Sequence, residues 1–173
     1  MKALPDYLKP GMGILFVGIN PGIRSQAVGH HFAGHSNRFW KLLYASGLVD
    51  ESLTYRDDWR LPEWGLGITN IIARASAGID TLDPQEYRRG RLILERKIAK
   101  HQPKLVALLG ITIFRLLFER GRSSLGIASL GLTTELLAEV PVYLLPNPSG
   151  RNAHYPYPLM LAAYRRLREQ TGR

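Results

Sequence analysis

Asn20 is the residue whose surroundings most clearly suggest chemistry. It lies in Gly18-Ile19-Asn20-Pro21-Gly22, after the apolar run Ile14-Leu15-Phe16-Val17. A second asparagine opens Asn147-Pro148-Ser149-Gly150, after Val142-Tyr143-Leu144-Leu145. Each segment reads as a buried strand that delivers a loop shaped by Pro and Gly. In an open parallel sheet, loops at the carboxyl ends of strands form the ligand crevice, so these two loops can meet over one site. Pro21 pushes Asn20 away from helical dihedrals, and Gly22 permits a sharp turn. A carboxamide held this way can accept a hydrogen bond from water and aim its lone pair, but it cannot remove a proton. That suits a reaction whose leaving group departs first, leaving a cation for weakly activated water. Cleavage of an N-glycosidic bond through an oxocarbenium-like state is such a reaction. The same residues also suit an Asx-type turn that only closes the loop.

Other residues near the expected loops have two readings each. Phe32 can stack on a nucleobase, a contact worth roughly 1–3 kcal/mol in single-stranded sites, or can simply pack. His30, His31 and His35 flank it; no carboxylate lies among them, which makes a poor metal set, and solvated or phosphate-facing histidines are expected. Asn70, after Gly67-Ile68-Thr69, sits at another strand end, where it can read a pyrimidine edge or merely turn the chain. The amides of Ser149 and Gly150 can bind phosphate. Arg151 is long enough to fill the gap left by an extruded base, or it is a plain surface cation.

These loops need a sheet to carry them. Strands are expected over 13–19, 68–72, 104–109 and 141–145. A long loop is expected over 20–36, then a helix capped by Asn37 that runs through Phe39, Trp40, Leu42, Leu43 and Tyr44 toward Gly47. Asp83-Pro84 starts another helix, running to Lys100 with Leu92, Ile93, Ile98 and Ala99 inward. A helix follows Gly110 over 111–119, and the last covers 158–170 with Leu159, Leu161, Ala162 and Leu167 inward. Gly121, Gly126 and Gly131 mark a looser, hairpin-like stretch. Strands alternating with helices imply a three-layer α/β/α sandwich on a central, mostly parallel sheet of about four strands, in one domain over 1–173.

Composition narrows the partners. The chain has 173 residues, 45% of them hydrophobic, which is enough for a packed core. The apolar runs are too short to span a membrane, and the first twenty residues show no cleavable signal pattern. Cysteine is absent, which removes disulfides, thiolate zinc sites and cysteine-ligated iron–sulfur clusters, and fits a reducing cytoplasm. No metal or cofactor is expected. The formal net charge is +9. A balance this basic favours polyanions, because neutralising phosphates releases counterions.

Taken in order, these motifs resemble the mismatch-specific uracil-DNA and thymine-DNA glycosylase family over most of the chain. Gly18-Ile19-Asn20-Pro21-Gly22 is similar to its first motif, and Phe32 through Asn37-Arg38-Phe39-Trp40 follows at its spacing. Gly67-Ile68-Thr69-Asn70 resembles the next pattern, nearer the thymine-DNA branch. Asn147-Pro148-Ser149-Gly150 resembles the second motif of the bacterial branch. The resemblance implies that Asn20 positions water and Phe32 stacks on the flipped base. It places Gly18, Ile19, Pro21, Gly22, Asn70 and Asn147 around the base, and Ser25, Ser149, Gly150, Arg151 and Asn152 against DNA. The partner implied is double-stranded DNA holding uracil or a mismatch, bound by a monomer. Arg151-Asn152-Ala153 stands where the bacterial branch has its wedge, and is nearer an arginine wedge of the thymine-DNA branch. Asn147 replaces the histidine of the faster families, so stabilisation of the leaving group is expected to be weaker. Two other classes remain at this point, a small-molecule nucleoside hydrolase and a lesion-binding protein without catalysis.

The charge makes a direct prediction. In titrations of duplex DNA at increasing salt, log affinity should fall linearly with log salt, with a slope near −0.9 per phosphate neutralised. A flat dependence would contradict contact with the DNA backbone.

Overall fold

The structure of the chain, a computed structural model, describes residues 2–118, 130–152 and 155–173. Four strands run parallel: β1 (Ile14–Gly18), β2 (Leu66–Asn70), β3 (Leu105–Leu109) and β5 (Val140–Leu145). A fifth, β4 (Gly131–Leu137), joins β5 antiparallel, giving the order β2-β1-β3-β5-β4. The expected parallel strands are thus present. The added edge strand covers Gly131 of the looser stretch, while Gly121 and Gly126 lie outside the described residues. All five residues of β1 and of β3 are buried, as the unbroken apolar runs of two-sided central strands require.

Alternate residues of the strands feed two cores. Ile14, Phe16, Leu105 and Ala107 face the layer of α2 (Phe39–Ala45) and α5 (Tyr157–Gln170), where Phe39, Trp40, Met160 and Tyr164 pack. Leu15, Val17, Val106 and Leu108 face the layer of α3 (Pro84–His101) and α4 (Ile111–Phe118). The result is the expected three-layer α/β/α sandwich. Among the described residues no helix is long and apolar enough to cross a membrane.

Several local expectations are corrected. The loop expected over 20–36 contains α1 (Ile23–Val28), ended by Gly29 in the left-handed region, a common helix stop. A 3-10 helix, Tyr55–Trp64, is an element for which no expectation was formed, and it opens with a Thr54–Asp57 capping box. In α3 the buried residues are Tyr87, Gly90, Leu94 and Ile98, whereas Leu92, Ile93 and Ala99 are exposed. Gly90 sets that rotation, because a Cβ there would lie 2.4 Å from the Ile71 carbonyl oxygen. In α5 the buried set is Met160, Ala163, Tyr164 and Leu167; Leu159 points outward and Leu161 and Ala162 are half-buried.

The topology locates the site. From β1 the chain moves to β2 on one side, then crosses to β3 on the other. The order therefore reverses between β1 and β3, and a crevice opens beyond the carboxyl ends of strands at such a switch point.

Candidate active site

A cleft of about 1050 Å³ opens at that switch point. Its lining includes Gly18 to Ser25 from the end of β1 onward, Asn70 at the end of β2, Gly110 after β3, and Asn147, Ser149, Arg151 and Asn152 after β5, with Phe32 among them. The two asparagine loops do meet over one site. Of the expected site residues only Gly150 is missing from the lining. A Cβ on Gly150 would come within 2.3 Å of the Ser36 Cβ, so this glycine lets the loop press against residues 34–37. The Arg38 N–H seals that contact by donating to the Pro148 carbonyl at 2.9 Å.

Asn20 is held by its nitrogen. The chain after β2 runs beside the loop after β1: Ile71 and Ile72 N–H donate to the Gly18 and Ile19 carbonyls, and Ser76 N–H to that of Pro21. This brings the Arg74 carbonyl within 2.9 Å of Asn20 Nδ2, and Ser76 Oγ within 2.8 Å. A carbonyl can only accept, so the amide nitrogen must face Arg74. Ser76 Oγ donates its own proton to the Gly78 carbonyl at 2.7 Å, so towards Asn20 it too accepts. Both amide protons are therefore used, and Oδ1 is left as an acceptor with no protein donor among the described residues. The support extends outward. Arg74 makes a two-pronged ion pair with Glu86 at 2.9 and 2.8 Å, and Glu86 closes the capping box of α3 on the Asp83 N–H. Arg74, then the Asp83 amide, hold the Glu86 carboxyl down to about 2.

Asn147 is oriented in the opposite sense. Its Oδ1 accepts the Ser149 N–H at 2.9 Å, which leaves Nδ2 as its unshared donor among the described residues. Asn152 Nδ2 donates to the Asn147 carbonyl and closes the loop. The Ser149 amide expected for phosphate is thus already occupied. Arg151 reaches across the rim and donates to the Ala77 carbonyl at 3.2 Å. Ala153 and His154 lie outside the described residues.

Asn70 lies opposite Gly18 in the β1–β2 register. A Cβ on Gly18 would sit 2.5 Å from Asn70 Oδ1 and 3.7 Å from the Phe32 ring, so the glycine makes room for both. Gly22 differs from expectation. Its φ is −71°, which any residue adopts, and nothing lies within 4 Å of where its Cβ would be; the glycine leaves an open surface and is not needed for a turn. Ser25 is buried, and its Oγ accepts the Ala33 N–H. Phe32 is half-buried with a left-handed backbone, φ 51°, and one face packs on Phe39 with ring centroids 4.4 Å apart.

The histidines are corrected too. His31 is buried, with Nε2 donating to the Pro5 carbonyl at 2.7 Å. His30 Nδ1 donates to the buried Asp58 carboxylate at 3.0 Å. His35 alone is exposed, at the cleft. Among the described residues no three His, Cys, Asp or Glu side chains are placed to hold a metal ion. Sequence reasoning missed Arg74, Ser76 and Asp58, because none belongs to a pattern; each acts through a contact with a residue far away in the chain.

A model of the uracil DNA glycosylase superfamily matches residues 5–168. The chain belongs to the uracil DNA glycosylase superfamily. Membership in this superfamily supports DNA glycosylase activity. The fold is also similar to the solution structure of a candidate uracil DNA glycosylase from Methanosarcina acetivorans, with a TM-score of 0.62 and 16% identity. The match covers 96% of this chain and 98% of that one, and at this identity it speaks for the fold.

His31 makes the site sensitive to acid. Burial holds its imidazole below the ordinary 6.5, outweighing the Pro5 hydrogen bond and the Asp58 and Asp6 charges that favour protonation. As pH falls below 6.5 the unfolded chain takes up a proton that the folded one resists, so stability is lost. Urea unfolding between about pH 7.5 and pH 5.5 should show falling stability, and His31→Gln should flatten that slope. An unchanged slope would contradict a neutral, buried His31.

Proposed function

We propose that this chain is a monofunctional DNA glycosylase that flips uracil out of duplex DNA, cleaves its N-glycosidic bond with water, and leaves an abasic site for base-excision repair. The observation that carries this reading is the orientation of Asn20. Its Oδ1 is presented to the cleft as an acceptor while both amide protons are held elsewhere. Such a group aims water and does not deprotonate it, which is sufficient when the sugar already carries positive charge. Among the described residues no lysine lines the cleft, which favours water over an amine nucleophile.

The remaining residues take matching roles. Phe32 stacks on the extruded base with the ring face turned away from Phe39. Asn70 pairs with the pyrimidine edge. Asn147 Nδ2 donates to the departing base as negative charge grows on it, more weakly than a protonated imidazole. The open surface at Gly22 and the buried Ser25 shape the DNA side of the loop that carries Asn20. Arg151 leaves the Ala77 carbonyl and enters the duplex, exchanging one exposed hydrogen bond, worth about 0.5–1.5 kcal/mol, for the space of the lost base. Ser149, Gly150 and Asn152 hold the loop from which it swings. Acceptance of thymine opposite guanine would follow from the same pocket.

The test is a single-turnover panel. The substrates are uracil opposite adenine, uracil opposite guanine, thymine opposite guanine, and single-stranded uracil. The wild type should release uracil from both duplexes. Arg151→Ala should lose most on uracil–adenine, less on the guanine wobble and least on single strands, because extrusion from a stable pair costs a few kcal/mol. Equal losses on all substrates, with a salt slope shallower by about one, would make Arg151 a backbone contact. Cleavage of free deoxyuridine without cleavage of DNA would overturn the proposal.

A further inference from the structure

Asp58 is a fully buried carboxylate on the 3-10 helix Tyr55–Trp64, outside the cleft lining. Two donors converge on it. His30 Nδ1 reaches Oδ1 at 3.0 Å and the His31 backbone N–H reaches Oδ2 at 2.8 Å. Beside it, burial and then the Asp58 charge push the Tyr7 hydroxyl up to about 12. A carboxylate accepts at both oxygens, whereas an amide would turn an N–H group toward at least one of these donors. A buried charge is tolerated only when hydrogen-bonded in this way.

The neighbour of this node is Phe32. Its φ of 51° lies in the left-handed region that non-glycine residues avoid, and such a conformation persists only when the surroundings over-determine it. Both residues flanking Phe32 are fixed through their backbone groups. On one side, the His31 N–H is bound by Asp58 and the His31 carbonyl accepts the Trp40 indole N–H at 3.2 Å. On the other, the Ala33 N–H donates to Ser25 Oγ at 3.0 Å and the Ala33 carbonyl accepts Arg24 Nε at 2.7 Å. Only the first of these tethers ends on a buried charge. The His31 ring meets the Tyr7 ring edge to face, and Tyr7 pairs with Ile68 on the β2 edge, so the loop is tied to the sheet.

We propose that Asp58 is a positioning residue for base excision: its carboxylate holds the 30–33 loop so that Phe32 keeps its left-handed backbone and presents its ring to the flipped base. The inference rests on the stacking role given to Phe32 above. Asp58 touches no substrate and acts through Phe32.

A double-mutant cycle tests this. Asp58→Asn, Phe32→Ala and the double variant are compared by single-turnover uracil excision from a uracil–guanine duplex at saturating enzyme, with DNA affinity and urea unfolding measured in parallel. Asp58→Asn should slow excision by about tenfold or more while affinity changes little. In the Phe32→Ala background it should cost no more than about twofold, the ordinary error of additivity. If Asp58→Asn does not fold, His30→Ala removes one donor from the node and carries the same cycle with a smaller loss. Equal losses in both backgrounds, or wild-type excision by Asp58→Asn, would overturn the positioning role. Full activity of Phe32→Ala would instead overturn the stacking reading on which it rests.

Discussion

A carboxamide aims its oxygen only when something else holds its nitrogen. At Asn20 the two groups that do so, the Arg74 carbonyl and Ser76 Oγ, both accept, and the second is committed because its proton goes to the Gly78 carbonyl. An asparagine free to flip would present a donor half the time and would repel the lone-pair geometry that water capture needs. The chain after β2 supplies that hold because its backbone runs beside the loop after β1 instead of turning directly into α3.

Further supports radiate from that point. The sheet brings the loops together because its order reverses between β1 and β3. The α3 capping box reaches the site through Glu86 and Arg74, so a helix start that looks purely structural also helps to set the carbonyl facing Asn20. In the loop after β5, Asn147 has its oxygen held and its nitrogen unshared among the described residues, the reverse of Asn20. The lining of the cleft thus carries an acceptor in one loop and a donor in another. In the proposed reaction these serve the incoming water and the departing base, two poles that a bond broken before it is replaced would require.

Much of this was legible in the sequence, for identifiable reasons. β1, β3 and β5 are continuous apolar runs, and both asparagine loops carry Pro and Gly at their turns, so strands, loops and their meeting could be read directly. Asp83 followed by Pro84 marked the start of its helix. Rotation of α3 could not be read, because Leu92 and Ile93 are apolar yet exposed, while Gly90 faces inward only to admit the Ile71 backbone. α1 was hidden in six residues with little apolar periodicity. Arg74, Ser76 and Asp58 were invisible for a different reason. Each acts on a residue more than twenty-five positions away, through a carbonyl, a hydroxyl or a carboxylate that no local pattern marks. Gly22 fits the family motif, but its reason is open space at the surface and not backbone strain.

The proposed role of Asn20 is open to one decisive measurement: the single-turnover rate of uracil release from a uracil–guanine duplex by Asn20→Ala, at enzyme concentrations that saturate the DNA. If Oδ1 aims the water, the rate should fall by about 10²–10⁴-fold, the range associated with a positioned catalytic group, while folding and DNA affinity stay close to wild type. A rate within a few-fold of wild type would contradict it, and would leave Asn20 as a residue that only closes its loop.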